Sequence, residues 1–256
     1  MTRRTSLSTA TLALRLLLAA TATVMVALLV AYAPPAGAAT DRMPDLGMAH
    51  PKGLQIQNTG GRKLLRFDSI VVNVGAGPFQ LHGQRAAGAS TMTTTQRVFD
   101  DAAGHRDVPT AAIMYFGGDG HYHWHVRDLE EFELVRLDNG RLVGTGAKRG
   151  FCFFDNYPYG SGNPAHYTTS SGACGGGTSA TRTMMGLSSG WGDIYGRNLP
   201  DQYIDITGLT SGKYRLRATA DADNWFQESN NANNFSWIDI QIKANKVTIV
   251  AYGPSA

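Results

Sequence analysis

Runs in which every second residue is apolar dominate this chain. Tyr203-Ile204-Asp205-Ile206, Lys213 to Thr219 and Phe235 to Ile242 alternate cleanly, the pattern of a strand with one buried face. Leu64 to Val74 reads as one long strand. Leu54 to Gln57, Phe79 to Leu81, Arg97 to Phe99, Ala111 to Phe116, Glu131 to Leu137 and Val247 to Tyr252 supply shorter ones. Asp138-Asn139-Gly140 is a hairpin signal with Arg141 to Val143 as the return strand, and Phe151 to Phe154 reads as an aromatic strand. Residues 82–96 and 155–190 are small, polar and aperiodic, and are expected to be loops. No stretch beyond residue 39 keeps a helical period for three turns, and there is no internal repeat. The expectation is an all-β fold, a β-sandwich with long irregular loops.

The first 39 residues read as a signal peptide, leaving residues 40–256 as one domain. Arg3, Arg4 and Arg15 precede an apolar run from Leu16 to Tyr32, and Ala36-Gly37-Ala38 offers a small-residue cleavage site. Export follows, to a secreted or extracellular location, with cell-surface anchoring by an uncleaved signal as the alternative. The net charge of +3 resides in that leader: without its three arginines the chain carries 20 Lys+Arg against 20 Asp+Glu. Nothing in this balance points to a nucleic-acid partner, and no membrane span is expected in the mature chain. Cys152 and Cys174 are the only cysteines. In an exported chain they are expected to form one disulfide.

His121-Tyr122-His123-Trp124-His125 places three of the seven histidines at alternate positions. On a strand, all three imidazoles share one face while Tyr122 and Trp124 share the other. An all-imidazole donor set suits zinc, copper, nickel or iron rather than calcium or magnesium. The triplet alone does not choose among them. Asp128 is placed to orient an imidazole, and Asp193 is its rival as a proton-accepting group. Asp119, Asp128, Glu130 and Glu131 suggest an acidic mouth for a cationic substrate.

Taken with Arg127-Asp128 and with Lys148 shortly before Phe151-Cys152, the histidines resemble the catalytic domain of lysyl oxidases. Gly190-Trp191-Gly192-Asp193-Ile194-Tyr195, Gln202-Tyr203-Ile204-Asp205-Ile206-Thr207 and Glu228-Ser229-Asn230-Asn231-Ala232-Asn233-Asn234 are similar to that family's stretches in the same order. The likeness runs from about Asp45 to Ile242. With only two cysteines, the chain looks like the bacterial branch rather than the disulfide-rich animal enzymes.

The resemblance implies copper-dependent oxidative deamination of primary amines, including the ε-amino groups of peptidyl lysine, by dioxygen. The products are aldehyde, hydrogen peroxide and ammonia. Implied copper ligands are His121, His123 and His125, and the implied lysine tyrosylquinone cofactor is built from Lys148 and Tyr195. A tyrosine-derived quinone needs a redox-active ion, which zinc is not. The resemblance further implies a calcium site at Asp45, Leu46 (through its carbonyl), Glu228, Asn230, Asn233 and Asn234, all hard oxygen donors. Asn230 stands where the family has an aspartate. Two other functions fit the residues alone: a non-enzymatic cell-surface β-sandwich for adhesion or copper binding, and a zinc hydrolase using the three histidines.

Overall fold

The computed structural model describes residues 38–117, 122–160 and 162–256. Residues 1–37 of the expected leader, and His121, lie outside the described residues. Residues 39–256 form one compact unit. Strands β1 (Asp41–Arg42), β2 (Leu46–Met48), β3 (Lys52–Thr59), β4 (Arg62–Asn73), β5 (Phe79–Gln84) and β6 (Thr91–Asp100) come first. Next are β7 (His105–Phe116), β8 (Trp124–Arg127), β9 (Glu130–Arg136), β10 (Leu142–Thr145), β11 (Gly150–Phe151) and β12 (Tyr157–Pro158). The chain then runs through β13 (Arg182–Leu187), β14 (Trp191–Tyr195), β15 (Tyr203–Asp205), β16 (Gly212–Ala220), β17 (Phe235–Lys243) and β18 (Lys246–Tyr252). Helix among the described residues is confined to two 3-10 turns, Thr169–Ser171 and Asn231–Asn233.

The expected sandwich is built from three antiparallel sheets. A seven-stranded sheet runs β11-β8-β7-β6-β5-β13, with β1 paired to β6. A five-stranded sheet runs β10-β9-β16-β17-β18, and a six-stranded one β12-β14-β4-β15, with β2 and β3 also on β4. The inward residues of all three meet in one core, including Phe67, Phe79, Met114, Trp124, Phe132, Leu216 and Ile238. Alternation sets this up: in β16, Tyr214, Leu216, Ala218 and Ala220 are buried while the residues between them are not. Burying a side chain the size of Leu216 removes apolar surface worth roughly 1.5–3 kcal/mol.

Three expectations are corrected. Residues 82–96 are not one loop, because β5 continues to Gln84 and β6 begins at Thr91. The buried face of β6 is Met92, Thr94, Gln96 and Val98, so its alternation is half polar and escapes an apolar pattern. Gln96 is satisfied by the Gln227 backbone, donating to its carbonyl and accepting from its N–H, both at 2.8 Å. Nor is 155–190 wholly irregular: β12, a 3-10 turn and β13 lie within it. The aromatic strand is shorter than expected, ending at Phe151. Beyond it Phe153 stacks on Phe79 with ring centroids 5.1 Å apart.

Asp155 is the reason the long segment is ordered. Its buried carboxylate accepts from the backbone N–H groups of His166 (2.8 Å), Tyr167 (3.0 Å) and Ser188 (2.8 Å) and from the Ser188 hydroxyl (2.6 Å). The Cys152–Cys174 disulfide, with Cα atoms 5.6 Å apart, ties the same segment at a second point. Removing the carboxylate orphans the buried Tyr167 and Ser188 N–H donors and the Ser188 hydroxyl, while the His166 N–H keeps the Ser188 hydroxyl at 3.1 Å. Asp155→Ala is therefore expected to cost about 3 kcal/mol, read as a lower midpoint in urea unfolding with an unchanged slope.

Candidate active site

The histidine segment is only partly a strand. β8 begins at Trp124, and Tyr122 has a left-handed φ of 42°. The reversal from β7 into β8 ends there, which breaks the alternation expected from residue 121 onward. Tyr122 consequently turns to solvent, 80% exposed, instead of sharing the inward face with Trp124. From His123 onward the alternation holds. The His123 and His125 rings lie 4.5 Å apart between centroids. Trp124 points the other way, buried edge-on against Phe116, its indole N–H donating to the Gly177 carbonyl at 3.2 Å. Pairing places His125 opposite Tyr115, and the Gly117 N–H donates to the His123 carbonyl at 2.9 Å.

Lys148 reaches the same place from another direction. Gly150 and Phe151 pair with Arg127 and Val126 of β8, and the Asp128 N–H donates to the Arg149 carbonyl at 2.8 Å. Close approach of these strands requires Gly150 to lack a side chain. A Cβ there would collide with the Tyr115 hydroxyl and sit 3.1 Å from the His125 Cβ. The third contributor is β14, paired with β4 so that Tyr195 lies opposite Ser69. Asp193 and Tyr195, two apart, share the buried face of that strand.

His123, His125, Lys148, Asp193 and Tyr195 line one cavity of about 300 Å³, together with Asn156 and apolar Phe154, Ile194 and Leu199. The Lys148 Nζ is 5.3 Å from the centroid of the Tyr195 ring. Lys148 and Tyr195 are 4% and 6% exposed, and the Tyr195 hydroxyl is buried with no hydrogen-bond partner of ordinary geometry. Asn156 donates to Asp193 and accepts from the Ile194 N–H at 2.8 Å, clamping β14 from the β12 side. Burial pushes the Asp193 carboxyl up to about 7. Burial, followed by the nearby carboxylates of Asp193 and Glu130, holds the Tyr195 phenol well above its ordinary value.

Glu130 does not belong to an acidic mouth. It is 1% exposed and points inward from β9, in the same alternation as Phe132 and Leu134. Its oxygens make no hydrogen bond of ordinary geometry. Ser69, Asp193 and Lys148 are its polar neighbours, and burial pushes it up to about 8. The Asp128 carboxylate is paired with the exposed Arg149 at 3.2 Å. Asp119 lies outside the described residues. The inward phase of Glu130 was present in the sequence, as its spacing from Phe132 and Leu134.

The second predicted cluster also converges. Asp45 accepts from Asn233 Nδ2 at 2.8 Å and from the Ser229 hydroxyl at 2.9 Å. Glu228 accepts from Asn234 Nδ2 at 2.9 Å and from the Leu46 N–H. The Oδ1 atoms of Asn233 and Asn234 are buried without partners, two oxygens suited to a hard cation. Asn230 is spent differently, its side chain capping the 3-10 turn through the Ala232 N–H at 3.1 Å. Burial pushes Glu228 up to about 8.

The fold and cavity define a class: an all-β protein with imidazoles, a buried lysine and a buried tyrosine around one opening. Residues 101–251 match the lysyl oxidase family, and the chain belongs to that family. It is 31% identical to protein-lysine 6-oxidase of Homo sapiens over 125 residues, 47% of this chain and 26% of that protein. Lysyl oxidase homolog 1 of Homo sapiens is 33% identical over 44% of this chain and 18% of its own length. Lysyl oxidase homolog 2 of Bos taurus is 24% identical over 69% of this chain and 18% of its own. The matches thus span about a quarter or less of these relatives. No helix among the described residues is long and apolar enough to cross a membrane.

The buried carboxyl at Glu130 sets a pH dependence. Its folded value of about 8 stands above the ordinary 4.5, so the native state holds a proton that the unfolded chain releases. The stability tied to this group is full below about 4.5 and is lost as pH rises through 8. In metal-free protein, Glu130→Gln is expected to flatten that decline, measured by chemical unfolding across the window. Gly150→Ala should lower stability by about 1–3 kcal/mol through overpacking, measured the same way.

Proposed function

We propose that this chain is an exported, copper-dependent amine oxidase that converts primary amines, peptidyl lysine ε-amino groups among them, to aldehydes with release of hydrogen peroxide and ammonia. On this reading residues 1–39 are a cleaved leader and 40–256 the catalytic domain, acting outside the cell on a lysine-containing protein or another primary amine, with dioxygen. The observation that carries it is the Lys148 amine 5.3 Å from the centre of the Tyr195 ring, in the cavity that His123 and His125 also line.

The residues fit the implied groups. His121, His123 and His125 would hold copper, as an all-imidazole set suits a redox-active borderline ion. Lys148 and Tyr195 would be joined as lysine tyrosylquinone, and the Tyr195 hydroxyl is buried beside the Asp193 carboxyl in the same cavity. When present, copper and quinone supply an electrophilic carbonyl for the amine and a route for its electrons to dioxygen. The protein does the rest. Phe154, Ile194 and Leu199 give the cavity apolar walls that exclude water. Asp193 lies on that wall with its carboxyl held near neutrality, where a group can take a proton from substrate carbon and return it. It is the base in this proposal, with Asp128 committed to Arg149. Asp45, Glu228, Asn233 and Asn234 would hold calcium, with Asn230 capping its turn and Leu46 contributing to the cluster's backbone.

Copper-loaded wild-type protein is expected to yield a tryptic peptide in which Lys148 and Tyr195 are cross-linked, and amine-dependent peroxide. Lys148→Ala and Tyr195→Phe should lose both and retain metal. Asp193→Asn should retain metal and slow turnover roughly a hundredfold or more. Copper-replete wild type with neither cross-link nor peroxide sinks the reading and leaves a metal-binding module. Hydrolysis indifferent to Lys148→Ala would identify a zinc hydrolase instead.

A further inference from the structure

Asp221 lies beside the second cluster, more deeply buried than Asp45 or Glu228, and is not among the residues assigned to it above. It is 3% exposed and follows β16 directly, with a left-handed φ of 43°. Its N–H donates to the Leu129 carbonyl at 2.8 Å, and the preceding Ala220 N–H donates to the Asn234 carbonyl at 2.7 Å. Its carboxylate accepts from the backbone N–H groups of Trp225 at 2.9 Å and Phe226 at 3.0 Å, one on each oxygen. This turn brings Glu228, two residues beyond Phe226, beside Asp221. Burial, and behind it the charges of Asp221 and Asp45, push the Glu228 carboxyl up.

Three carboxyl groups converge here without a counter-charge. Among the described residues, no lysine or arginine pairs with Asp45, Asp221 or Glu228. Their hydrogen bonds come from neutral donors: Ser229 and Asn233 for Asp45, backbone N–H groups for Asp221, and the Leu46 N–H and Asn234 for Glu228. Asn234 is 4% exposed, and its Oδ1 is left without a partner. Buried like charges with no cation are what folding penalises, and carboxylate and amide oxygens suit a hard divalent ion. Asn230 adds no charge, its side chain being used to cap the 3-10 turn. The two backbone bonds keep the Asp221 carboxylate from turning away, and each of its oxygens retains acceptor capacity.

We infer that Asp221 is a further acidic member of the cation site, supplying beside Glu228 the negative charge that Asn230 does not. The inference rests on the calcium reading of this cluster and extends it to a residue outside the expected set. It needs neither copper nor the Lys148–Tyr195 cross-link, so it stands apart from the oxidase chemistry. Affinity for a hard cation follows the count of charged ligands around it, and here that count is kept by a residue from the end of β16 in place of one from the 3-10 turn.

Calcium chloride is titrated into chelator-treated wild type, Asp221→Asn, Asn230→Asp and the double variant at one pH and ionic strength, with the dissociation constant read by calorimetry. Asparagine at 221 keeps the shape and an acceptor oxygen, and aspartate at 230 still caps the Ala232 N–H, so each change alters charge more than shape. Asp221→Asn is expected to weaken calcium binding roughly tenfold to a hundredfold. Adding Asn230→Asp to it should recover most of that loss. Wild-type affinity in Asp221→Asn overturns the inference. So does a double variant as weak as Asp221→Asn, which would leave Asp221 only the shaping of its turn. A wild type that takes up no calcium fails the calcium reading itself, and the inference with it.

Discussion

Three consecutive stretches of backbone between Gly146 and Phe151 are each bonded to a different sheet, and the cavity depends on that. The Gly146 N–H donates to Phe132 of the five-stranded sheet at 2.9 Å, and the Ala147 N–H to Tyr203 of the six-stranded sheet at 3.0 Å. Gly150 and Phe151 pair with β8 of the seven-stranded sheet. Lys148 lies between these anchors, at the junction of all three layers. Burying a lysine is unfavourable unless its surroundings are built for it. Here the main chain is fixed on both sides, so the side chain has nowhere to go but inward. The disulfide at Cys152 extends the constraint by one residue.

The junction explains why residues far apart in sequence become one site. His125 comes from the seven-stranded sheet, Tyr195 and Asp193 from the six-stranded one and Glu130 from the five-stranded one. No pair of sheets alone would bring them together. β4 links this centre to the second cluster. Ser69 faces Tyr195 across the β4–β14 pairing, and four residues on, Asn73 pairs with Leu46. The Asn73 side chain accepts from the Asp45 N–H at 3.0 Å and donates to the carbonyls of Gly77 (2.9 Å) and Leu187 (3.1 Å). A cation held by Asp45 and Glu228 would stabilise the start of β2, and through β4 the strand on which Tyr195 is registered.

Much of this was legible in the sequence. Alternation identified β9, β15, β16 and β17 because each has an apolar inner face, β4 and β18 were legible as apolar-rich runs, and the Asn139-Gly140 turn marked the β9–β10 hairpin. The imidazoles, Lys148 and Tyr195 were legible as residue types in order. What failed did so for local reasons. β6 buries Thr94 and Gln96 on its inner face, so hydrophobic periodicity could not see it. Tyr122 was assigned a strand phase that its positive φ forbids. Glu130 was grouped with an acidic mouth by its nearness to Asp128 and Glu131, although its phase with Phe132 puts it on the inner face of β9. The meeting of three sheets at Lys148 is a tertiary fact. The bonds from Gly146 and Ala147 are made by backbone, which carries no side-chain signature.

Charge in the cavity limits what its groups can do. Glu130 and Asp193 are both buried, burial is the first cause of the upward shift of each, and the Asp193 charge adds to that of Glu130. Lys148 is the neighbouring cation that favours their ionised forms. Two carboxylates and one ammonium in a low-dielectric pocket leave an unbalanced negative charge, the arrangement burial penalises most. One carboxyl therefore stays protonated. Asp193 has Asn156 donating to it and lines the opening; Glu130 has the Ser69 hydroxyl as its polar neighbour and does not line the cavity. The proton belongs on Glu130, leaving Asp193 as the group able to ionise beside the imidazoles. Joining Lys148 to a ring would change this balance, since an aryl-bound nitrogen no longer carries an ammonium charge. Glu130 and Asp193 would then face each other without their cation, which strengthens the case for a neutral Glu130. The same burial that makes the carboxyls costly to keep is what separates their roles.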